Sequence, residues 1–273
     1  MVISGIASHP ELQNTWVFKG GTCLKKCYFE TFRFSEDLDF TLIEESQADE
    51  KFLLDCFQKI SNWIFENSGI EIPINKIHFE KYSNTAGKIS IEGRIGYIGP
   101  LQRRNDPARI KIDLTSDELL VLSPLLRDIH HPYSDKSLIN VKTTCYGFYE
   151  LFAEKIRALR ERARPRDLYD VIHLYRHVQT KIDRISLLNA LREKCKFKKI
   201  EVPTSESIIN HPKQQELAAE SNMLSHQLPT LPPLESFLND LPALFDWLER
   251  NSLKELDSAP ILGKNIDDSW LHI

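Results

Sequence analysis

Hydrophobic and polar positions in the first half of the chain follow three successive patterns. Residues 16–18 form a short apolar run, which predicts a strand. Between residues 50 and 67 the apolar positions recur with the helical period, which predicts an amphipathic helix packed on a sheet. Between residues 74 and 115 the pattern changes to the two-residue alternation of strands. This half of the chain therefore predicts a sheet with helices against it.

The second half of the chain is predicted to be helical. Residues 146–162 return to the helical period, and Pro165 stands where the first turn of a following helix tolerates proline. The chain beyond about residue 180 is also mostly helical in pattern. We therefore predict an α+β fold, with a core over residues 1–145 and a helical C-terminal domain over residues 146–273.

A glycine pair follows the first predicted strand. Gly20 and Gly21 allow the backbone to come close to a phosphate, because neither carries a side chain. Thr22 adds a hydroxyl that can cap a following helix, predicted from Thr22 to about Phe29, whose N-terminal amides favour anions. The segment is therefore a candidate phosphate-binding turn.

Two aspartates follow this turn on either side of one leucine. Asp37 and Asp39 carry carboxylates, the hard oxygen ligands that Mg²⁺ prefers. If residues 37–40 form a strand, both carboxylates lie on one face, with Leu38 and Phe40 in the core. Either motif alone has a simpler explanation, a turn that opens a helix or a solvated strand. In this order and at this distance they favour a nucleotide-transferring site.

A third acidic position lies in a later predicted strand. Ile110, Ile112 and Leu114 alternate with polar residues, so Asp113 is expected to point away from the core beside Lys111.

A basic segment follows in the second half. The formal net charge of −4 argues against a protein that coats nucleic acid along its whole surface. Six cations nevertheless crowd one short stretch, which predicts a basic ridge suited to phosphates. The alternative is a solvated, salt-bridged helix end, and Arg166 and Asp170, four apart, suit an ion pair. The six cations of the segment are Lys155, Arg157, Arg160, Arg162, Arg164 and Arg166.

The five cysteines, an odd number at scattered positions, fit a reducing compartment. Cys23 and Cys27 would share a helix face, but metal-binding cysteine pairs normally come with a second pair, so all five are interpreted as core or incidental thiols. No apolar run is long enough to cross a bilayer, and the first ten residues lack the pattern of a secretory signal. We therefore expect a cytoplasmic protein with no membrane partner.

These motifs resemble a known family. Residues 19–24 and 33–40 resemble the first motif of the AbiEii/AbiGii toxin-like nucleotidyltransferases, the toxin halves of bacterial type IV toxin–antitoxin and phage-abortive systems. Residues 109–114 resemble the strand that carries the family's third carboxylate, and residues 154–170 resemble its distal lysine and Arg-Asp-x-x-Asp motifs. The resemblance extends over roughly residues 16–176.

The resemblance implies a polymerase-β-like nucleotidyltransferase fold and Mg²⁺-dependent transfer of a nucleotide from an NTP to an acceptor. The leading acceptor is RNA, especially tRNA, and a separately encoded antitoxin is the expected partner. It further implies catalytic roles for five residues, the first three of which would also hold Mg²⁺: Asp37, Asp39, Asp113, Lys155 and Asp170. The implied nucleotide-binding residues are Lys19, Gly20, Gly21, Thr22, Arg160, Arg166 and Asp167.

Two alternatives remain open at the level of sequence. One is an enzyme that transfers the nucleotide to a protein, and the other is a non-catalytic binding module that keeps the fold. Carboxylates gathered on one face repel one another without a metal, so three retained acidic positions favour an enzyme. The identity of the NTP is not specified by these motifs.

Overall fold

The computed structural model describes residues 1–29, 32–83, 87–100, 102–131, 141–178 and 180–250. The chain divides into two compact units. The first comprises Met1–Glu118 and Pro124–Tyr146, and the second comprises Leu119–Ser123 and the chain from Gly147 to the end of the described residues. The predicted domains 1–145 and 146–273 stay a prediction, and residues 251–273 lie outside the described part.

The first unit contains a seven-stranded mixed sheet with strand order β3-β4-β5-β2-β1-β7-β6. The pairs β2–β5 and β1–β7 are parallel and the other four pairs are antiparallel. The strands predicted from the alternation are therefore present, as β4 and β5. Its strands are β1 (Trp16–Lys19), β2 (Leu38–Leu42), β3 (Ile77–Ser83), β4 (Ile89–Tyr97), β5 (Ala108–Thr115), β6 (Leu125–Asp128) and β7 (Lys142–Cys145).

In the part of this unit that the structure describes, three α-helices accompany the sheet. They are α1 (Val2–Ser8), α2 (Gly20–Cys23), which continues as a π-helical turn over Leu24–Tyr28, and α3 (Glu50–Ser68). The predicted helix over residues 50–67 is confirmed as α3. It begins where the Asp49 carboxylate accepts the Phe52 N–H, and it ends at Gly69, whose φ of 69° is readily available only to glycine.

Aromatic residues from the strands and α3 fill the core of the first unit. Trp16, Phe18, Phe40 and Phe57 are each at most 1% exposed, and the ring centroids of Phe18 and Phe40 lie 5.1 Å apart. Such aromatic pairs contribute about 0.5–1.5 kcal/mol each beyond the area they bury. The predicted alternation around Asp39 is also present, because Leu38 and Phe40 are buried while Asp39 is half-buried.

The second unit is helical, as predicted. The helix α4 ends at Ala163, which adopts a left-handed conformation, and Pro165 opens α5 as the sequence indicated. Within the described residues, no helix has both the length and the apolar character needed to span a bilayer. The helices are α4 (Phe148–Arg162), α5 (Pro165–Val178), α6 (Arg184–Lys198), α7 (Ser205–Ile209), α8 (Gln214–Glu220), α9 (Leu234–Leu238) and α10 (Leu241–Glu249).

A buried ion pair secures the short segment Leu119–Ser123 within the second unit. The Glu150 carboxylate accepts the N–H groups of Val121 and Leu122 at 3.1 and 2.8 Å. The Lys194 ammonium lies 2.6 Å from Glu150 and also donates to the Leu119 carbonyl. Both charged side chains are almost fully buried, and Lys194 also lies 3.3 Å from the Glu154 carboxylate, so the buried charges neutralise one another.

Two predicted boundaries were wrong. The helix expected from Thr22 begins at Gly20, so Thr22 lies inside it and does not cap it. The strand expected from Asp37 begins at Leu38, so Asp37 lies just before β2. Both differences place the functional motifs at the ends of elements, where backbone groups are not fully used by the helix or the sheet.

Candidate active site

Strand register brings ionisable side chains into one row across the first unit. Asp39 pairs with Asp113 on the adjacent parallel strand, and Lys19 pairs with Asp39 on the other side. Glu92 pairs with Asp113, and Glu80 pairs with Glu92. Directly opposite residues share a face of a sheet, so these five residues form what we call the charged row.

The glycine turn lies directly against Asp39. A Cβ atom on Gly20 would lie only 2.2 Å from Oδ2 of Asp39, and Gly20 has a φ of +79°. Any side chain here would therefore be strained and would displace the carboxylate. This contact places the predicted phosphate-binding turn beside the predicted metal ligand.

Arg33 and Ser35 complete the turn. A Cβ atom on Gly21 would lie 2.8 Å from Nη2 of Arg33 and 3.0 Å from Oγ of Ser35. The Arg33 guanidinium is buried and donates to the Phe34 carbonyl at 3.1 Å. No role was predicted for Arg33, although it lies within the first family motif. A guanidinium against a glycine backbone is suited to phosphate recognition.

Thr22 positions Asp37. Its hydroxyl donates to the Asp37 carbonyl at 2.6 Å and lies 2.9 Å from the Ser35 hydroxyl. Thr22 is only 3% exposed, and its hydroxyl is used to hold the backbone of Asp37. The helix-capping role expected for Thr22 is replaced by this bond.

Lys111 is a direct neighbour of Asp113, as predicted. Its ammonium lies 2.8 Å from Asp113 and 3.3 Å from Glu92. Burial would lower the pKa of Lys111, but the hydrogen bonds and charges of Asp113 and Glu92 outweigh it and raise the pKa. Burial would likewise raise the pKa of Glu92, but the hydrogen bonds from Arg94 and Lys111 lower it. The lowered pKa favours the ionised form of Glu92 within the charged row.

Asp37, Asp39 and Asp113 are the predicted metal ligands. Three carboxylates are a donor set that suits a hard divalent cation, and the register places Asp39 and Asp113 on neighbouring strands. Among the described residues, the groups of three potential ligands whose ligand atoms lie within 4.8 Å of one another do not include these aspartates. Asp37, Asp39 and Asp113 must therefore turn towards one another to share an ion, and their half-buried positions leave room for this movement.

Two ion pairs, each with a buried aspartate, organise the predicted distal motif in the second unit. Lys155 on α4 lies 2.8 Å from Asp170 on α5, with side chains 11% and 0% exposed. Arg162 donates to both oxygens of the fully buried Asp167, at 2.7 and 3.1 Å. Asp170 therefore forms an ion pair with Lys155, whereas the sequence spacing had suggested, as one alternative, a pair with Arg166.

The predicted basic ridge is not a continuous exposed surface. Lys155 and Arg157 are buried, and Arg157 forms an ion pair with Glu161. Arg160 and Arg166 are half-buried, and Arg164 is exposed. The prediction of a ridge is therefore wrong for the buried members, and the alternative of a salt-bridged helix end describes them better.

Comparison with known proteins identifies the family. The chain matches the family described as "Nucleotidyl transferase AbiEii toxin, Type IV TA system" over residues 2–250, and it belongs to that family. No curated protein sequence matches the chain. Among solved structures, it is similar to MenT4, a nucleotidyltransferase toxin from Mycobacterium tuberculosis H37Rv. The TM-score is 0.61 and the identity 17%, over 95% of this chain and 85% of that chain, so this similarity shows a shared fold.

The predicted fold and enzyme class are thereby confirmed. The mixed sheet with flanking helices is the polymerase-β-like nucleotidyltransferase fold. The chain is a nucleotidyltransferase, the toxin of a type IV toxin–antitoxin system. Its family implies a nucleotide substrate and an antitoxin partner, and enzymes of this class generally use divalent metal ions.

Proposed function

We propose that this toxin transfers a nucleotide from an NTP to an RNA acceptor, with tRNA as the leading candidate, in a Mg²⁺-dependent reaction. The observation that carries the proposal is the register of Asp39 beside Asp113, with Gly20 packed against the Asp39 carboxylate. Carboxylates next to a side-chain-free turn are what binding of a metal-bound triphosphate requires.

The residues of the first unit have separate roles in this proposal. Asp37, Asp39 and Asp113 would hold Mg²⁺, which when bound neutralises charge on the phosphates. The backbone of Gly20 and Gly21 would approach the phosphates.

Three further residues of this unit support the turn. The Arg33 guanidinium packed on Gly21 would add a fixed positive charge. Thr22 holds Asp37 through the Asp37 carbonyl. Lys19, buried and 4.0 Å from Glu118, would contribute a second cation to nucleotide binding.

The residues of the second unit are proposed on the basis of the family motif. Lys155 would be the cation that assists departure of pyrophosphate, and Asp170 would orient its ammonium through their 2.8 Å ion pair. Arg160 and Arg166 remain candidates for contact with the phosphates. Asp167 is a further nucleotide-binding candidate, and its bond to Arg162 makes it a structural residue as well.

Charge favours a limited RNA contact. The chain has a net charge of −4, and half of the basic segment is buried or paired. An RNA acceptor should therefore be engaged through few phosphates, which suits a structured RNA end better than a long duplex. The same proposal holds that the toxin arrests growth of its host and that a separately encoded antitoxin neutralises it.

Transfer of label tests the proposal. The purified protein is incubated with each labelled NTP, Mg²⁺ and either tRNA, total RNA or lysate protein. We expect RNase-sensitive label on tRNA that requires Mg²⁺ and decreases steeply with salt. RNase-resistant label on protein alone would favour the protein-modifying alternative. Absence of label with every NTP would favour the binding module.

A further inference from the structure

A cluster of three buried thiols lies apart from the carboxylates. The Sγ atoms of Cys23, Cys27 and Cys145 all lie within 4.8 Å of one another. These residues are 0%, 5% and 0% exposed. The sequence places only Cys23 and Cys27 near each other, and the fold adds Cys145.

The backbone holds the three thiols together from two sides. Cys23 ends α2 and Cys27 lies in the π-helical turn that follows, a rare element that is frequent at functional sites. Cys145 ends β7 and pairs with Phe18 in the neighbouring parallel strand. The Tyr28 hydroxyl joins the two sides, because it donates to the Tyr146 carbonyl at 2.6 Å.

Arg127 supplies positive charge at the cluster. Its guanidinium is buried, donates to the Cys27 carbonyl at 3.0 Å and lies 4.2 Å from the centre of the Tyr28 ring. Three thiolates alone would place three negative charges in the core. A divalent ion together with Arg127 would cancel that charge.

We propose that Cys23, Cys27 and Cys145 form a three-thiolate site for a thiophilic divalent ion, for which zinc is the fitting ion. Thiolates are soft ligands that select zinc over magnesium, so this site is chemically distinct from the carboxylates. Zinc normally takes four ligands, so a water would fill the position that the three thiolates leave.

The proposed zinc site would stabilise the glycine turn at Gly20 and Gly21. Cys23 directly follows Thr22, and Cys145 belongs to the strand beside β1, which leads into Gly20. A metal bond between these elements would fix α2 against the sheet. Metal binding free energy would then appear as folding free energy of the first unit.

The test uses the full-length chain, stripped with a chelator and then titrated with zinc or with cobalt as a spectroscopic probe. We expect stoichiometric zinc retention, thiolate-to-cobalt charge-transfer absorption and a higher melting temperature with metal. Cys145→Ser and Cys27→Ala should lose the absorption and the metal-dependent rise. Cys195→Ser is the matched control, because Cys195 is a buried thiol on α6 in the second unit, and it should keep both.

Three outcomes would overturn the proposal. The first is a stripped wild-type chain that binds no zinc and melts at the same temperature with and without metal, which needs no variant. The second is a disulfide among the three cysteines in the protein purified without oxidant. The third is metal lost in Cys56→Ser but kept in Cys145→Ser, which would place the ion at the other group of ligand atoms, formed by His9, Glu11 and Cys56.

Discussion

The two units treat charge in opposite ways. In the first, Asp39 and Asp113 are half-exposed and stand beside further carboxylates. In the second, Asp170 and Asp167 are fully buried, and each forms an ion pair with a basic side chain. Grouped carboxylates repel one another, whereas removal of one partner of a buried ion pair destabilises the protein by several kcal/mol. Mutations should therefore separate chemistry from stability in the first unit and couple them in the second.

Replacement of Asp39 is expected to have the largest effect on activity. Asp39→Asn should reduce nucleotide transfer to background and abolish growth inhibition, because the amide is a poor Mg²⁺ ligand. The melting temperature should hardly change, because a repelling charge is removed. Transfer assays and thermal melts measure the two effects. Asp106→Asn, at an almost fully exposed position, is the control and should retain activity. Activity surviving in Asp39→Asn would refute the metal-ligand assignment.

Lys155→Ala should affect both activity and stability. The loss of transition-state stabilisation should be roughly 3–4 kcal/mol, as for other preorganised charges. Because the fully buried Asp170 loses the ammonium that lies 2.8 Å from it, unfolding free energy should also fall by about 3–5 kcal/mol. Denaturant unfolding and single-turnover transfer measure the two losses.

A double substitution separates the two effects. Lys155→Met with Asp170→Leu should recover much of the stability, because an apolar pair replaces the buried ions, but it should not recover transfer. Arg164→Ala, at an exposed position, is the control and should change both quantities little. Full transfer by the double variant would show that Lys155 and Asp170 are structural residues only.

Gly20→Ala tests the contact between the turn and the carboxylate. The positive φ alone should cost about 1–3 kcal/mol of stability, and the added Cβ should displace Asp39 and reduce transfer strongly. Gly69→Ala is a matched control, because Gly69 also has positive φ but a Cβ there would meet nothing within 4 Å. It should lose a similar amount of stability and keep its activity. Equal loss of activity in both variants would show that the contact between Gly20 and Asp39 has no special role in transfer.

The smallest effect is expected at Arg162. Arg162→Ala leaves Asp167 without its bidentate partner, and because Arg162 is 41% exposed the cost should be only about 1–2 kcal/mol. The unfolding midpoint in urea measures it. Arg162→Lys should recover part of the loss, because it restores the charge without the fork. A larger loss in the lysine variant than in the alanine variant would contradict this account.

Several elements were predictable because they depend on local geometry. The buried positions of Leu38 and Phe40 follow from the period of a strand, and the bounds of α3 follow from Asp49, Gly69 and the helical period. The boundaries of α2 and β2 differed from prediction by one or two residues, because a long-range bond from Thr22 to the Asp37 carbonyl outweighed the local capping preference.

By itself, the sequence determined the order of elements, the alternation that exposes Asp39 and Asp113, and the family motifs, because these depend on periodicity and short spacings. Only the tertiary structure decided which distant residues meet. It paired β2 with β5, packed Arg33 against Gly21 and brought Cys145 to Cys23. Strand register and burial are set by packing across the whole sheet, and spacing along the chain carries no direct record of them.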